Sequence, residues 1–407
     1  MSSADGLRDL RLLILGAGAA HERAFTTWAR HGCRTTLVDA GETEGYEPLV
    51  DELFAHEVYD HAEPDIGRLA AMAADHDVVL TLSDMAQVTT ARVAARAGLR
   101  GTGTRAAQLA RDKYRQRALA ERAGLPLVRS ILLDPGVRAA AADLPGPPPW
   151  VVKPIDAGGS AGVTLARTES ELGTACAAAQ AQSFAGRCLV EQWIPGSEWS
   201  LEIVVVDGAI QSRFFTAKVL AGPDWFVERR EVVGQDPDAG DVRAMDDVMR
   251  RMVALYDVET AVCHLEVRVD RGNATPIEMA VRPAGADIPE LVRLARGRDL
   301  YAELVAALAG RALGPASAPV ASFAGIEYLF GTGTVRRTPT HASLVEGLSG
   351  IRYARPLAPV GRTIDAITAN WHMAGKVIAV GESVAGVEAT LDEAIGRMAA
   401  AMGLTRR

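Results

Sequence analysis

The chain has 407 residues, enough for two to three domains, and its 48% hydrophobic and 23% charged content is that of a globular protein rather than a low-complexity one. A net charge of −8 without a basic stripe argues against nucleic-acid binding as the main task. A local pocket of lysines and arginines would still suit a small anion such as a nucleotide. The four cysteines, Cys33, Cys176, Cys188 and Cys263, form no C-x-x-C pair and no zinc-type cluster, so buried thiols in a reducing compartment are expected. The start, Met1 to Arg11, is charged, no signal-type apolar region follows it, and no apolar run reaches ~18 residues. The expectation is a soluble cytoplasmic protein that does not act at a membrane.

The elements begin with Arg11–Gly18, RLLILGAG, a buried strand entering a glycine turn. A helix over Ala20–His31 and a second strand over Arg34–Asp39 complete a βαβ unit. A third strand is expected at 77–82 and a helix at 85–97, so residues 1–103 read as a small α/β domain. A helix is expected from Thr104 to Ala123, stopped by Gly124. The proline-rich Leu144–Pro149 cannot be helix and leads into the strand Trp150–Pro154, WVVKP. Further strands are expected at 188–194, 200–206, 262–269 and 275–281, the last two joined by the turn Asp270-Arg271-Gly272-Asn273. Helices are expected at 241–256 and 289–311. The final ~95 residues read as short strands, glycine turns and a closing helix at Leu391–Met402.

Several residues carry chemistry in this pattern. Glu266 and Glu278 sit mid-strand among apolar neighbours. If their strands pair antiparallel, the two carboxylates meet on one face and repel unless a cation lies between them. Mg²⁺ favours one or two carboxylates plus phosphate oxygens. The competing reading is a solvated face with Arg268 and Arg282 as ion partners. Lys153, in V-V-K-P, is costly to bury without an anionic partner. The loop G-G-S-A-G, Gly158 to Gly162, can turn backbone N–H groups toward phosphate, although it lacks the G-K-[ST] of a Walker motif. Glu191 to Ser200, E-Q-W-I-P-G-S-E-W-S, is a strand-to-turn stretch with two acids. It can offer backbone groups to adenine and Glu198 to ribose. The G-A-G of Gly16–Gly18 with Asp39 resembles half of a dinucleotide fingerprint, but position 21 is His rather than Gly.

In this order and spacing, Lys113, V-V-K-P, the glycine loop, E-Q-W-I-P-G-S-E, H-L-E and E-M-A-V-R-P resemble the ATP-grasp superfamily. The 375–381 stretch and the closing helix resemble its L-amino-acid ligase, or carboxylate–amine ligase, branch. The resemblance covers most of the chain. It implies an α/β fold, α+β in the nucleotide-binding lobes, with a Rossmann-like domain at 1–103. It further implies an ATP-grasp domain at 104–312 with a lid at about 125–190, and a C-terminal α+β extension at 313–407. Lys113 and Lys153 would contact phosphates, and Gly158, Gly159, Ser160 and Gly162 would close over them. Glu191, Trp193 and Ile194 would hold adenine, and Glu198 ribose. Glu266 and Glu278 would bind Mg²⁺, with Mn²⁺ an acceptable substitute. Arg282 would hold the transferring phosphoryl group. His264, Arg268, Arg282 and Ala286, with the loop at 221–231, would border the substrates; core packing is the expected role of Trp225 and Phe226 in that loop, a hydrophobic wall the alternative. Those substrates would be a carboxylate and an amine, both amino acids, joined through an acyl phosphate with release of ADP. The resemblance leaves room for a homodimer.

One departure bears on the metal. The family's metal strand usually reads Glu-x-Asn-x-Arg, and here Ala280 stands at the amide position. One ion is expected, and a second is left open. Three alternatives remain from the sequence: a bicarbonate-activating relative, a nicotinamide-dependent oxidoreductase using Gly16 and Gly18, and a catalytically silent nucleotide binder.

Overall fold

The computed structural model describes residues 6–17, 22–41, 45–60, 62–137, 139, 143–222 and 225–406, Trp225 by its backbone only. Four strands, Glu52–Ala55, Arg34–Asp39, Arg11–Leu15 and Val78–Leu80, form a sheet in that order at the N-terminal end, all parallel. The helices Glu22–Arg30 and Glu63–Ala73 return the chain for two of the parallel connections, and the connection from Asp39 to Glu52 has no helix among the described residues. The helix Glu22–Arg30 buries Phe25 and Trp28, and the Trp28 indole donates to the Tyr301 carbonyl at 3.0 Å. That contact ties the N-terminal sheet to the rest of the molecule.

The largest sheet has eight strands. Their order is Asn273–Ala280, Ala261–Asp270, Ser197–Val206, Ala209–Gly222, Trp225–Val233, Phe323–Leu329, Gly375–Gly381 and Ile351–Pro356. Every pairing within it is antiparallel. The last three strands come from the C-terminal segment, so that segment extends the central sheet. The strand Ala261–Asp270 shows the expected period of two. Leu265, Val267 and Val269 are buried, while His264, Glu266 and Arg268 face the other way. The apolar face packs on the helix Ala239–Tyr256 through Met245, Met249, Met252 and Tyr256, at helical spacing. Arg271 (φ +50°) and Gly272 (φ +80°) both adopt the left-handed conformation in the connecting turn, which suits a tight two-residue hairpin.

A separate four-stranded antiparallel sheet stands in the segment expected as the lid, in the order Ser130–Leu133, Cys188–Gln192, Trp150–Pro154 and Thr164–Ala166. The helix Glu169–Gln182, capped by the Thr168 hydroxyl, covers it.

Three expectations need correction. The helix expected over Thr104–Ala123 is two helices, Thr104–Ala110 and Lys113–Arg122. Asp112 breaks it: its extended backbone and a carboxylate accepting from the Arg115 N–H at 3.0 Å start a new helix. The helix expected at 289–311 is also two, Ile288–Arg296 and Leu300–Leu308, separated by left-handed Gly297 and the N-cap Asp299. The segment expected as a loop at 221–231 lies largely in the strand Trp225–Val233. The Trp225 side chain and Gly18 lie outside the described residues.

Candidate functional site

The charged face of the central sheet and the underside of the lid enclose a cavity of about 910 Å³. Strand register sets what faces it. Glu266 lies directly opposite Glu278 on one side and Ser200 on the other, with a bulge immediately after Glu266. His264 lies opposite Ala280 and Glu202. Arg268, Glu198, Lys218 and Glu231 form a cross-strand row over four strands, cations alternating with acids. The sequence expectation that the two glutamates meet across one strand pair is therefore met in the register.

Each expected residue except Gly162 lines this cavity. Lys113 is the first residue of its helix and is buried. Its Nζ lies 2.8 Å from Glu278 Oε1 and donates to the Ala157 carbonyl at 2.8 Å. Lys153 is buried on its lid strand, with Nζ 2.7 Å from Glu191 Oε2. Arg117 grips the same carboxylate, Nε to Oε1 at 2.8 Å. Burial lowers the Lys153 pKa despite that partner. Burial alone would raise the pKa of Glu191, but Arg117 and Lys153 bring it below the usual carboxylate range. The glycine loop holds Gly159 and Ser160 in left-handed conformations, and Ser160 Oγ donates to the Phe226 carbonyl at 2.6 Å. Arg268 donates to Glu198 at 3.2 Å and to the Gly196 carbonyl at 2.8 Å. Ala286, at φ +60°, accepts from the Tyr328 hydroxyl.

Several residues of the site were not anticipated. Lys218 is buried and pairs with Glu266 at 2.6 Å and also with Glu228. Burial opposes its charge, yet Glu228 and Glu266 hold its pKa well above the ordinary lysine value. Glu266 in turn is held well below the carboxylate range: burial opposes this, and Lys218 and His264 outweigh it. Asp84, from the N-terminal domain, grips Arg282, with Nε to Oδ1 at 2.8 Å. Asp287 joins Arg23 at 2.7 Å and Lys376 at 2.5 Å, linking three parts of the chain. Glu231 is fully buried with neither oxygen hydrogen-bonded among the described residues. Burial, and then Glu228, push its pKa well above the ordinary carboxylate value. Lys218 was detectable in principle, since it interrupts apolar Ala217 and Val219–Leu220 as Lys153 interrupts its own strand. Asp84 and Asp287 carried no local signal.

His264 is held between carboxylates, Nδ1 to Glu202 at 2.8 Å and Nε2 to Glu266 at 3.3 Å. Burial works against its charge, but Glu202 raises its pKa to about 10. A folded pKa above the unfolded ~6.5 stabilises the fold below that value, and the stabilisation is lost as pH rises through about 10. His264→Asn should therefore lower the urea midpoint at about pH 6, with the gap to wild type closing by about pH 10.5. An equal gap at both pH values would contradict the protonated imidazole.

The carboxylates fit a divalent cation. Glu266 and Glu278 are paired in register and face the cavity, and Glu198, Glu228 and Glu266 can bring ligand oxygens within 4.8 Å of one another. At the N-terminal turn, by contrast, Asp39 is taken up by its own surroundings. It accepts from the Ala17 N–H at 3.2 Å, the Gly41 N–H at 3.1 Å and the Tyr59 hydroxyl at 2.6 Å. That leaves little capacity for a dinucleotide ribose.

The cleft lies between two β lobes and gathers lysines, arginines and carboxylates in one cavity. The chain belongs to the ATP-grasp superfamily. The ATP-grasp domain family model matches residues 147–290. The D-alanine–D-alanine ligase of Acidiphilium cryptum is 30% identical over 214 residues, 47% of this chain and 67% of that protein. The D-alanine–D-alanine ligase of Cereibacter sphaeroides is 30% identical over 208 residues, 50% of this chain but only 62% of that protein's length. The L-amino acid ligase from Bacillus licheniformis superposes with a TM-score of 0.79 at 19% identity, covering 96% of this chain and 98% of that one. Phosphoribosylglycinamide synthetase from Anaerococcus prevotii superposes with a TM-score of 0.71 at 16% identity, covering 96% and 98%. Among the described residues, no helix is long and apolar enough to cross a membrane.

Proposed function

We propose that the protein is an ADP-forming carboxylate–amine ligase acting on amino acids through an acyl phosphate. The observation that carries this reading is the Glu266–Glu278 pair in one cavity with Lys113, Lys153, Lys218, Arg282 and the glycine loop. Residues 104–312 would form the nucleotide-binding lobes, with residues 1–103 and 313–407 closing the substrate end. The D-alanine–D-alanine ligase relatives support a ligase that joins amino acids, without fixing which ones.

On this reading ATP lies between lid and sheet. The substrate carboxylate attacks the γ-phosphorus in line, the bond to the β-bridging oxygen breaks, and ADP leaves. The amine then attacks the acyl carbon, loses a proton, and expels phosphate. Glu266 and Glu278 would hold a divalent cation, which when bound supplies charge neutralisation to the β- and γ-phosphates. Lys113 and Lys153 sit where they can bind phosphate oxygens, exchanging carboxylate partners for phosphate. Arg282, fixed by Asp84, presents a rigid guanidinium to the oxygens that gain charge. The lid excludes water that would hydrolyse the acyl phosphate. Ala280 offers no ligand, so one ion between the two glutamates is the reading adopted.

Purified protein given ATP, Mg²⁺ and an amino-acid mixture should produce ADP, phosphate and an amide product in equal amounts. Release of AMP and pyrophosphate would overturn the acyl-phosphate mechanism. Bicarbonate-dependent phosphate release without an amide would favour the carboxylase alternative.

A further inference from the structure

The C-terminal segment reaches back across the cleft to the glycine loop. A single 3-10 turn, Asn370–His372, makes the contact. The Asn370 backbone N–H donates to the Gly159 carbonyl at 3.0 Å. Its side chain grips one residue at two points. Oδ1 accepts from the Glu228 backbone N–H at 3.2 Å, and Nδ2 donates to Glu228 Oε2 at 3.1 Å. The next residue, Trp371, lies against the loop, and a Cβ added to Gly159 would come within 3.2 Å of its ring. Glu228 also pairs with Lys218, which pairs with Glu266. A continuous polar path therefore runs from the lid's glycine loop through Asn370 to the carboxylates of the sheet.

We propose that Asn370 is a positioning residue that sets the glycine loop and the Glu228 carboxylate together, so that lid closure and the arrangement of the acidic cluster are one event. The Asn370 amide serves both ends of the Glu228 grip, its oxygen accepting and its NH2 donating, which a carboxylate cannot do. Aspartate at 370 keeps the acceptor but places a second negative charge against Glu228. Alanine keeps the backbone bond to Gly159 and removes both side-chain bonds, releasing the turn from the strand that carries Glu228. The resemblance to the family gives no place for this residue, since the amide it expects stands at position 280 and is alanine here. The consequence for turnover rests on the ligase reading, whereas the mechanical coupling does not.

The test uses the full chain with Asn370→Ala, Asn370→Asp and Asn370→Ala combined with Glu228→Ala. In ligand-free protein, amide exchange at Ala161 and Val163 in the loop and at Glu228 should speed up together by about tenfold in Asn370→Ala. Faster exchange at Glu228 with an unchanged loop overturns the proposal. In turnover, phosphate released per amide formed should rise about threefold as the looser lid admits water. In the Glu228→Ala background the further loss of Asn370 should change this ratio less than about twofold, and independent, multiplying effects would overturn the coupling. If wild type forms no amide, the ligase reading fails while the exchange measurement still decides the role of Asn370.

Discussion

Glu266→Ala should lower amide-forming turnover by roughly 10³-fold while the protein still folds. Three interactions converge on this carboxylate: Lys218 at 2.6 Å, His264 at 3.3 Å, and Glu278 opposite it in the sheet. Removing it leaves Lys218 paired with Glu228 and His264 paired with Glu202, so neither cation is stranded. The fold should therefore tolerate the change better than the chemistry does. Without this carboxylate a cation facing Glu278 loses half its protein charge, and Lys218 loses the partner that aims it into the cleft. Glu266→Gln separates charge from shape. The amide keeps the volume and an acceptor but not the negative charge. Its loss should approach that of alanine when phosphate and amide formation are measured at saturating ATP. Near-wild-type turnover in the glutamine variant would remove Glu266 from the metal role.

The two carboxylates were legible because each interrupts an apolar strand next to a short turn, a local signal. The register of that turn alone would set Glu266 against Ile277, and the bulge after Glu266, which the sequence did not announce, brings Glu278 opposite it. The strand Arg34–Asp39 and the hairpin at 270–273 were legible for the same reason: their signals are local. The two broken helices were not. Asp112 and Asp299 are N-caps inside longer helix-compatible runs, and a capping residue competes with helix continuation only when the flanking chain must turn. The long strands Ala209–Gly222 and Trp225–Val233 were missed because their polar face is lined with charge. Lys218, Glu228 and Glu231 look like loop residues until the charges facing them across the strands are assembled, and Arg213 until the helix Ala239–Tyr256 supplies Asp246 as its partner.

What sequence reading could not reach was long-range pairing. Asp84 meets Arg282 across 198 positions, and Asn370 meets Glu228 across 142. The C-terminal segment illustrates the same limit at the level of the fold. Its strands Phe323–Leu329 and Gly375–Gly381 read locally as apolar strands, and nothing in them says that they continue the sheet that carries the cleft. That continuity has a functional side. Glu327 in the first of these strands is fully buried among Arg229, Arg230 and Arg406, so the end of the chain is fastened beside the strand that bears Glu228 and Glu231.

Glu191→Ala should destabilise the lid by about 3–5 kcal/mol and abolish ATP binding in the same variant. The resemblance gives Glu191 to adenine, whereas the structure turns its carboxylate onto Arg117 at 2.8 Å and Lys153 at 2.7 Å. All three side chains are buried, at 3%, 5% and 6% exposure respectively. Truncating the acid leaves two unpaired cations in a poorly solvated place, which costs more than the ion pair itself contributed. Lys153 would then swing from its strand or lose its proton, and either outcome removes a phosphate ligand. Urea unfolding and ATP titration on the same sample separate the two roles. If Glu191 works by placing Lys153, Glu191→Leu combined with Arg117→Met, which still leaves Lys153 without its acid, should recover part of the stability without recovering ATP affinity. If Glu191 serves adenine directly, Glu191→Ala should weaken ATP binding with little loss of stability. The arrangement in which Lys153 waits on an acidic partner inside the closed lid favours the first outcome, because a phosphate can displace Glu191 from the lysine only while Arg117 keeps that carboxylate neutralised.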